Sequence, residues 1–255
     1  MAKVNHRESL FELLEQNFNR FNTPDFVEDD PISIPHQFSR KEDIEISAFL
    51  AAVIAWGQRI TIIRNANRIV ELMDHSPYEF IMQHRESDLE RLEGFVHRTF
   101  NSDDLMYFLQ SLQQLYLHKG GLEAAFLIGN NYKERISNFK KLFFEQEHLK
   151  RSEKHLADPL KGSSAKRLNM FLRWMVRKDP KGVDFGIWEK HDQADLMIPL
   201  DIHTSTVGRK LGLLKRKQDD WKAVEELTSN LRSFDPKDPA KYDFALFGMG
   251  VNKII

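Results

Sequence analysis

The chain has 255 residues, 41% of them hydrophobic, with 37 basic and 38 acidic side chains and a net charge of −1. That is enough apolar content for a sizeable core in one or two compact units. It is too little net charge to hold nucleic acid by bulk attraction, which leaves a local basic face as the only electrostatic footprint of that kind. With no cysteine, the chain excludes disulfides, thiolate metal sites, iron–sulfur clusters and cysteine nucleophiles.

The first stretch, MAKVNHRESLFELL, carries acids within a helical pattern, and the longest apolar run, residues 46–56, is short of a bilayer's thickness. A soluble, cytoplasmic and monomeric protein with no membrane partner is the expectation. Leu10, Leu13, Leu14 and Phe18 at helical spacing predict an amphipathic helix over residues 7–21, and the proline-rich, acidic stretch after it predicts a loop.

Ser39 followed by Glu42 is a capping-box pattern, and the nearly unbroken apolar residues 44–56 predict a central helix closed by Gly57. Gln58 and Arg59 then form a polar turn into a helix through IIRNANRIVELM. Further helices are predicted after Ser76-Pro77, from Ser102-Asp103-Asp104 to Gly120-Gly121, and through NYKERISNFKKLFFEQE. There is no repeat and no alternating strand pattern, so the fold class is expected to be all-α.

Over residues 166–177, Leu168, Phe171, Leu172 and Met175 make an apolar face, and Lys166, Asn169, Arg173 and Arg177 fall opposite it. This predicts a helix burying one side and offering three positive charges on the other. Lys161, Gly162, Ser163 and Ser164 precede it as a tight turn at which an anion is favoured. Alone, Lys166 reads as a solvated lysine.

After a polar spacer, Pro199 and Asp201 predict an extended entry and an N-cap for a helix from about His203 to Leu211. A carboxylate at a helix start is favoured as the anion, so capping and service as a base are compatible. Arg209, Lys210, Lys215, Arg216 and Lys217 follow, either as complements to the helix dipole or as phosphate partners alongside Arg173.

These residues carry a resemblance. Gly162 with Lys166 four residues later, and IPLDIHTSTVGRKLGLL with Asp201 and His203, resemble the catalytic segment of the helix-hairpin-helix DNA glycosylases, such as endonuclease III and the archaeal 8-oxoguanine glycosylases. Lys161 stands where that hairpin has proline, Ser164 where it has a second glycine, and Ile202 where its aspartate motif has threonine. The chain as a whole is similar to a bacterial family of unassigned function that shares the KRLNMFLRWMVR, PLD-H and YDFALFG blocks.

The glycosylase resemblance implies a single two-lobed unit over residues 1–255 with a central cleft. One lobe would run from about 100 to 215 and the other from residues 1–99 with 216–255. It implies a glycosylase/AP lyase without a cofactor, in which Lys166 attacks the sugar of a flipped damaged nucleotide with help from Asp201. Gln58 would fill the vacated stack, and Arg59, Lys161, Gly162, Ser163, Ser164, Arg173, His203, Arg209 and Lys210 would hold the nucleic acid. A free lysine titrates near about 10.4, so its amine needs burial beneath the substrate to react. Trp56 and Trp174 offer stacking surfaces, with core packing as the plainer role, and Trp188 in the spacer is expected on a short helix outside the cleft. DNA is the expected partner and RNA an open alternative. A non-catalytic nucleic-acid-binding protein on the same fold is the competing reading. His191-Asp192 as part of a metal phosphohydrolase site is a weaker one, since no ligand set has suitable spacing.

Overall fold

The computed structural model describes the backbone of residues 2–255 and the side chains of residues 7–255. Its elements, in chain order, are α1 (Ala2–Phe21), α2 (Asp25–Glu28), α3 (Lys41–Val53), α4 (Arg59–Leu72), α5 (Pro77–Gln83), α6 (Glu86–Glu90), a ribbon of β1 (Val96–His97) and β2 (Phe100–Asn101), α7 (Ser102–His118), α8 (Gly121–Ala125), α9 (Tyr132–Phe143), α10 (Lys166–Val176), α11 (Ile202–Lys210), α12 (Trp221–Arg232) and α13 (Tyr242–Val251). The molecule is helical, as its sequence predicts. The antiparallel ribbon, with Val96 opposite Asn101, is too short for any alternating pattern to reveal. No described helix is long and apolar enough to cross a membrane.

The chain divides into two compact units, Met1–Phe26 with Pro159–Ile255 and Val27–Asp158. These boundaries differ from those expected near residues 100 and 215, because α1 belongs with the C-terminal helices. Its Phe21 ring packs so tightly on Gly248 of α13 that a Cβ there would lie 2.2 Å from the ring, and Tyr242 donates to Glu15 Oε1 at 2.7 Å.

In the Val27–Asp158 unit, residues 44–53 of α3 are all buried, and Phe49 meets Phe108, Phe139 and Phe143 in one aromatic core. The helix starts later than the capping-box pattern suggests. Arg40 is its N-cap, and the Glu42 carboxylate turns to Arg40 Nε at 3.0 Å. Its C-cap is Ile54, and Gly57, at φ +109, lies beyond it in the turn to α4. α7 starts at Ser102, as the sequence predicts, and Asn101 caps it in a reciprocal pair with Asp104. Ser76 makes no cap bond, whereas Asp43 of α3 accepts the Tyr78 N–H at 2.8 Å.

The other unit is built on α13, whose Tyr242, Phe244, Ala245, Leu246 and Met249 are buried. The spacer after α10 is irregular and folds back on that helix: Phe185 N–H donates to Trp174 O at 2.8 Å and Trp188 N–H to Met175 O at 2.9 Å. Trp188 is therefore wholly buried, edge-on to Phe171, instead of lying on an outer helix as expected.

Candidate active site

A 3-10 turn, Pro159–Lys161, leads into Gly162, which holds φ +92, a conformation open to glycine at little cost. The turn is pinned to the start of α12: Trp221 N–H donates to Gly162 O at 3.1 Å, and Ser163 bridges Asp220. Asn169 Nδ2 donates back to Ser164 O at 3.1 Å. This bracing fixes where α10 starts, and α10 starts at Lys166. Lys161, Gly162 and Ser163 are exposed and Ser164 half-buried.

Asp201 is the N-cap of α11, with extended backbone and Oδ1 accepting the Thr204 N–H at 2.8 Å. Its other oxygen, Oδ2, lies 3.7 Å from Lys166 Nζ. The two groups that the sequence singled out, 35 residues apart, thus form an ion pair within one unit. The separation exceeds hydrogen-bond length, so the amine is held near the carboxylate without being locked to it. The lysine side chain is 34% exposed and the aspartate 14%, which leaves the amine within reach of an external reactant.

The rest of the polar face of α10 does not look outward. Asn169, Arg173 and Arg177 are buried, with Arg173 only 3% exposed. Arg173, expected to hold a phosphate, instead meets Asp184 Oδ1 at 3.2 Å and Asp243 Oδ2 at 2.5 Å. Arg177 meets Asp184 at 2.9 Å, Asp238 at 2.9 Å and Asp179 at 3.6 Å. The periodicity identified the face correctly, but carboxylates cover it in place of solvent.

Four carboxyl groups therefore share two guanidiniums in the interior, an excess of negative charge that burial makes costly. Burial pushes the Asp243 carboxyl up to about 7; Asp201 adds to the rise, while Arg173, Lys166 and the Thr204 hydroxyl oppose it. Burial also raises Asp238 against the pull of Arg177. Asp179 moves the other way: despite burial, its bond from Asn22 and the charge of Arg177 lower it.

The remaining candidates are scattered. His203 is exposed at its edge, packed against the Phe247 ring and Gly250. Lys210 is exposed, but Arg209 is committed to the chain, with Nη2 at 2.5 Å from Asp219 Oδ1 and Nε donating to Arg216 O at 2.9 Å. Arg216 forms a two-pronged pair with Asp220, so both arginines of the expected basic run are neutralised where they stand.

Gln58 and Arg59 lie exposed in the other unit, at the start of α4, where the Gln58 side chain makes no capping bond. Trp174 is wholly buried, which removes it as a stacking surface, and Trp56 is half-buried against the rings of His97 and His155. His191 is buried beside Trp188, and among the described residues no group of three or more His, Cys, Asp or Glu side chains could hold a metal ion.

Two residues near the pair were not singled out in the sequence, Thr204 and Asp243. Both are buried, and Thr204 Oγ1 donates to Asp243 Oδ1 at 3.2 Å. The available signal was Asp243 itself, the lone charge in the ten-residue apolar helix YDFALFGMGV. Lone charges in such helices are seldom buried without a partner.

A family model described as "Protein of unknown function (DUF2400)" matches residues 30–252. No curated protein and no solved structure matches the chain.

Proposed function

Since the chain belongs to the DUF2400 family, we propose, from its own geometry, that it is a DNA glycosylase/AP lyase of the helix-hairpin-helix kind, acting on a damaged nucleotide. The observation that carries this reading is the approach of Lys166 Nζ to Asp201 Oδ2, 3.7 Å apart at the starts of two helices and partly open to solvent. A primary amine beside a carboxylate is the minimum set for a Schiff-base lyase.

In this reading the extruded nucleotide covers the pair, and Asp201 takes a proton from the Lys166 ammonium. The amine lone pair attacks C1′ of the sugar, and the glycosidic electron pair leaves with the base, which takes up a proton. A proton passes from Nζ to the ring oxygen as the C1′–O4′ bond breaks, and the ring opens to an iminium between Nζ and C1′. Loss of a proton from C2′ then expels the 3′ phosphate and breaks the strand. Lys161, Ser163 and Ser164 line the exposed turn before the lysine and are the natural phosphate contacts. Gln58, in the other unit, is exposed on its own turn, as a side chain that fills a vacated stack has to be.

One observation favours a non-catalytic nucleic-acid-binding protein instead. The turn before Lys166 opens on a three-residue 3-10 turn and has serine and lysine at positions where the glycosylase hairpin has glycine and proline. Borohydride trapping decides between the two, using duplexes that carry 8-oxoguanine, uracil or an abasic site. A covalent adduct that disappears in Lys166→Gln supports the enzyme. Tight duplex binding with no adduct on any substrate overturns it and leaves the binding module.

A further inference from the structure

The Lys166–Asp201 pair joins two helices whose relative placement nothing in the pair itself enforces, because its contact is longer than a hydrogen bond. A second link lies directly beneath it. Thr204, one turn into α11, gives its N–H to Asp201 Oδ1 at 2.8 Å and its hydroxyl to Asp243 Oδ1 at 3.2 Å. The other oxygen of Asp243 receives Arg173 Nη1 at 2.5 Å, and Arg173 sits on α10, seven residues from Lys166. Arg173 is itself held on its far side by Asp184.

We propose that Asp243 is a positioning residue of the candidate active site. By joining Arg173 of the lysine helix to Thr204 of the aspartate helix, its carboxylate sets the spacing at which Asp201 meets the Lys166 amine. The inference rests on the reading of that pair as catalytic, yet its structural content does not depend on which substrate is bound.

Three features set this link apart from ordinary packing. Asp243 is the lone charge of an otherwise apolar helix, buried at a depth where a neutral side chain would cost less. Both of its oxygens are used, each by a different helix, so loss of either bond removes the tie that runs through Asp243 from one helix to the other. Thr204 carries both aspartates, one on its backbone and one on its hydroxyl, so a shift of Asp243 passes to Asp201 through one residue. Buried charged networks of this kind are poor sources of net stability, and fixing a geometry is among their attested uses.

The test reads the amine directly. Intact wild-type protein and the variants Asp243→Asn, Thr204→Val and Thr204→Ser are labelled by reductive methylation at one pH, and labelling of the Lys166 peptide is followed by mass spectrometry. Circular dichroism checks each fold. Thr204→Val removes only the hydroxyl bond at nearly constant shape, so it decides the matter if Asp243→Asn does not fold. With the link broken, the pair opens and Lys166 labels at least about fivefold faster in Thr204→Val and Asp243→Asn, the scale of a coupling near 1 kcal/mol. Thr204→Ser, which keeps the hydroxyl, stays within about twofold of wild type.

Unchanged labelling in folded Thr204→Val overturns the proposal. So does equal acceleration in Thr204→Ser, which would mark a packing effect. An absence of borohydride adducts in the wild type would remove the glycosylase reading and leave the labelling result standing. If adducts do form, the broken link slows trapping while duplex affinity holds.

Discussion

Asp201 and Asp220 occupy the same backbone position, φ −113 and ψ −176, at the starts of α11 and α12, and each accepts the N–H three residues on. Each also has a basic side chain beside it. Asp220 takes Arg216 in a two-pronged pair on the protein surface, and this bond, with the N–H of Ala223, holds its carboxyl down at about 2. Asp201 takes Lys166 at 3.7 Å, with a second buried aspartate behind it. A capping aspartate is therefore no mark of a site by itself. What separates the two is the partner: a guanidinium keeps its proton and is locked by its fork, whereas a loosely held amine can lose a proton and form a bond.

The largest expected effect tests that difference directly. Lys166→Gln abolishes the borohydride adduct, while Asp220→Asn, which disturbs only the arginine pair, leaves it in place. Because the Lys166–Asp201 pair is partly exposed, Lys166→Gln changes unfolding free energy by no more than about 0.5 kcal/mol, which urea titration checks. An adduct that survives the loss of Lys166 breaks the comparison. Next in size is Asp201→Asn, which keeps a capping oxygen and removes the base. It lowers the single-turnover rate about 100-fold, a typical general-base contribution.

The cap at Asp201 was legible in the sequence, because a proline shortly before an aspartate that leads into a helical pattern is a local signal, whereas Asp220, with no such signal, was not singled out. The pairing was not legible, since 35 residues separate Lys166 from Asp201 and only the folded unit brings them together. The misassigned arginines show the same limit. Periodicity placed Arg173 and Arg177 on one face of α10, but their covers come from the spacer (Asp184), the connection before α13 (Asp238) and α13 itself (Asp243). Solvent and a distant carboxylate satisfy a guanidinium equally well in a helical wheel. The cap at Ser39 was misread by a single residue for a related reason, while the start of α7 at Ser102 fell where the sequence put it. The backbone entry to α3 placed Arg40 at the cap, with no side-chain cap bond.

Asp243 sharpens the comparison through its pH dependence. Its carboxyl holds a proton up to about 7 in the folded chain, whereas an unfolded aspartate titrates near about 3.9. The folded state therefore binds the extra proton between these values. The resulting stabilisation is complete below about pH 4 and is lost as pH rises through about 7. The melting temperature should fall over that window in wild type and fall less in Asp243→Asn, as calorimetry across a pH series would show. An equal slope in the two proteins would mean that Asp243 is not the group responsible.

The smallest effect belongs to Asp220, and its sign is opposite. With its carboxyl depressed to about 2, any stability that Asp220 contributes through its charge is present above about pH 4 and lost as pH falls through about 2. Asp220→Asn keeps a capping oxygen for Ala223, so it should differ from wild type only in acid, and only slightly, because salt and solvent screen a surface pair. Asp220→Ala also loses the cap, and the typical cost of about 1 kcal/mol should appear at every pH. Raising the salt concentration separates the two contributions: it shrinks the charge-dependent acid difference and leaves the cap penalty unchanged. If Asp220→Asn instead lowered stability at neutral pH as much as Asp220→Ala does, the arginine pair would be holding the turn at Gly162–Ser163 in place. Asp220 would then be part of the frame that sets where the lysine helix begins.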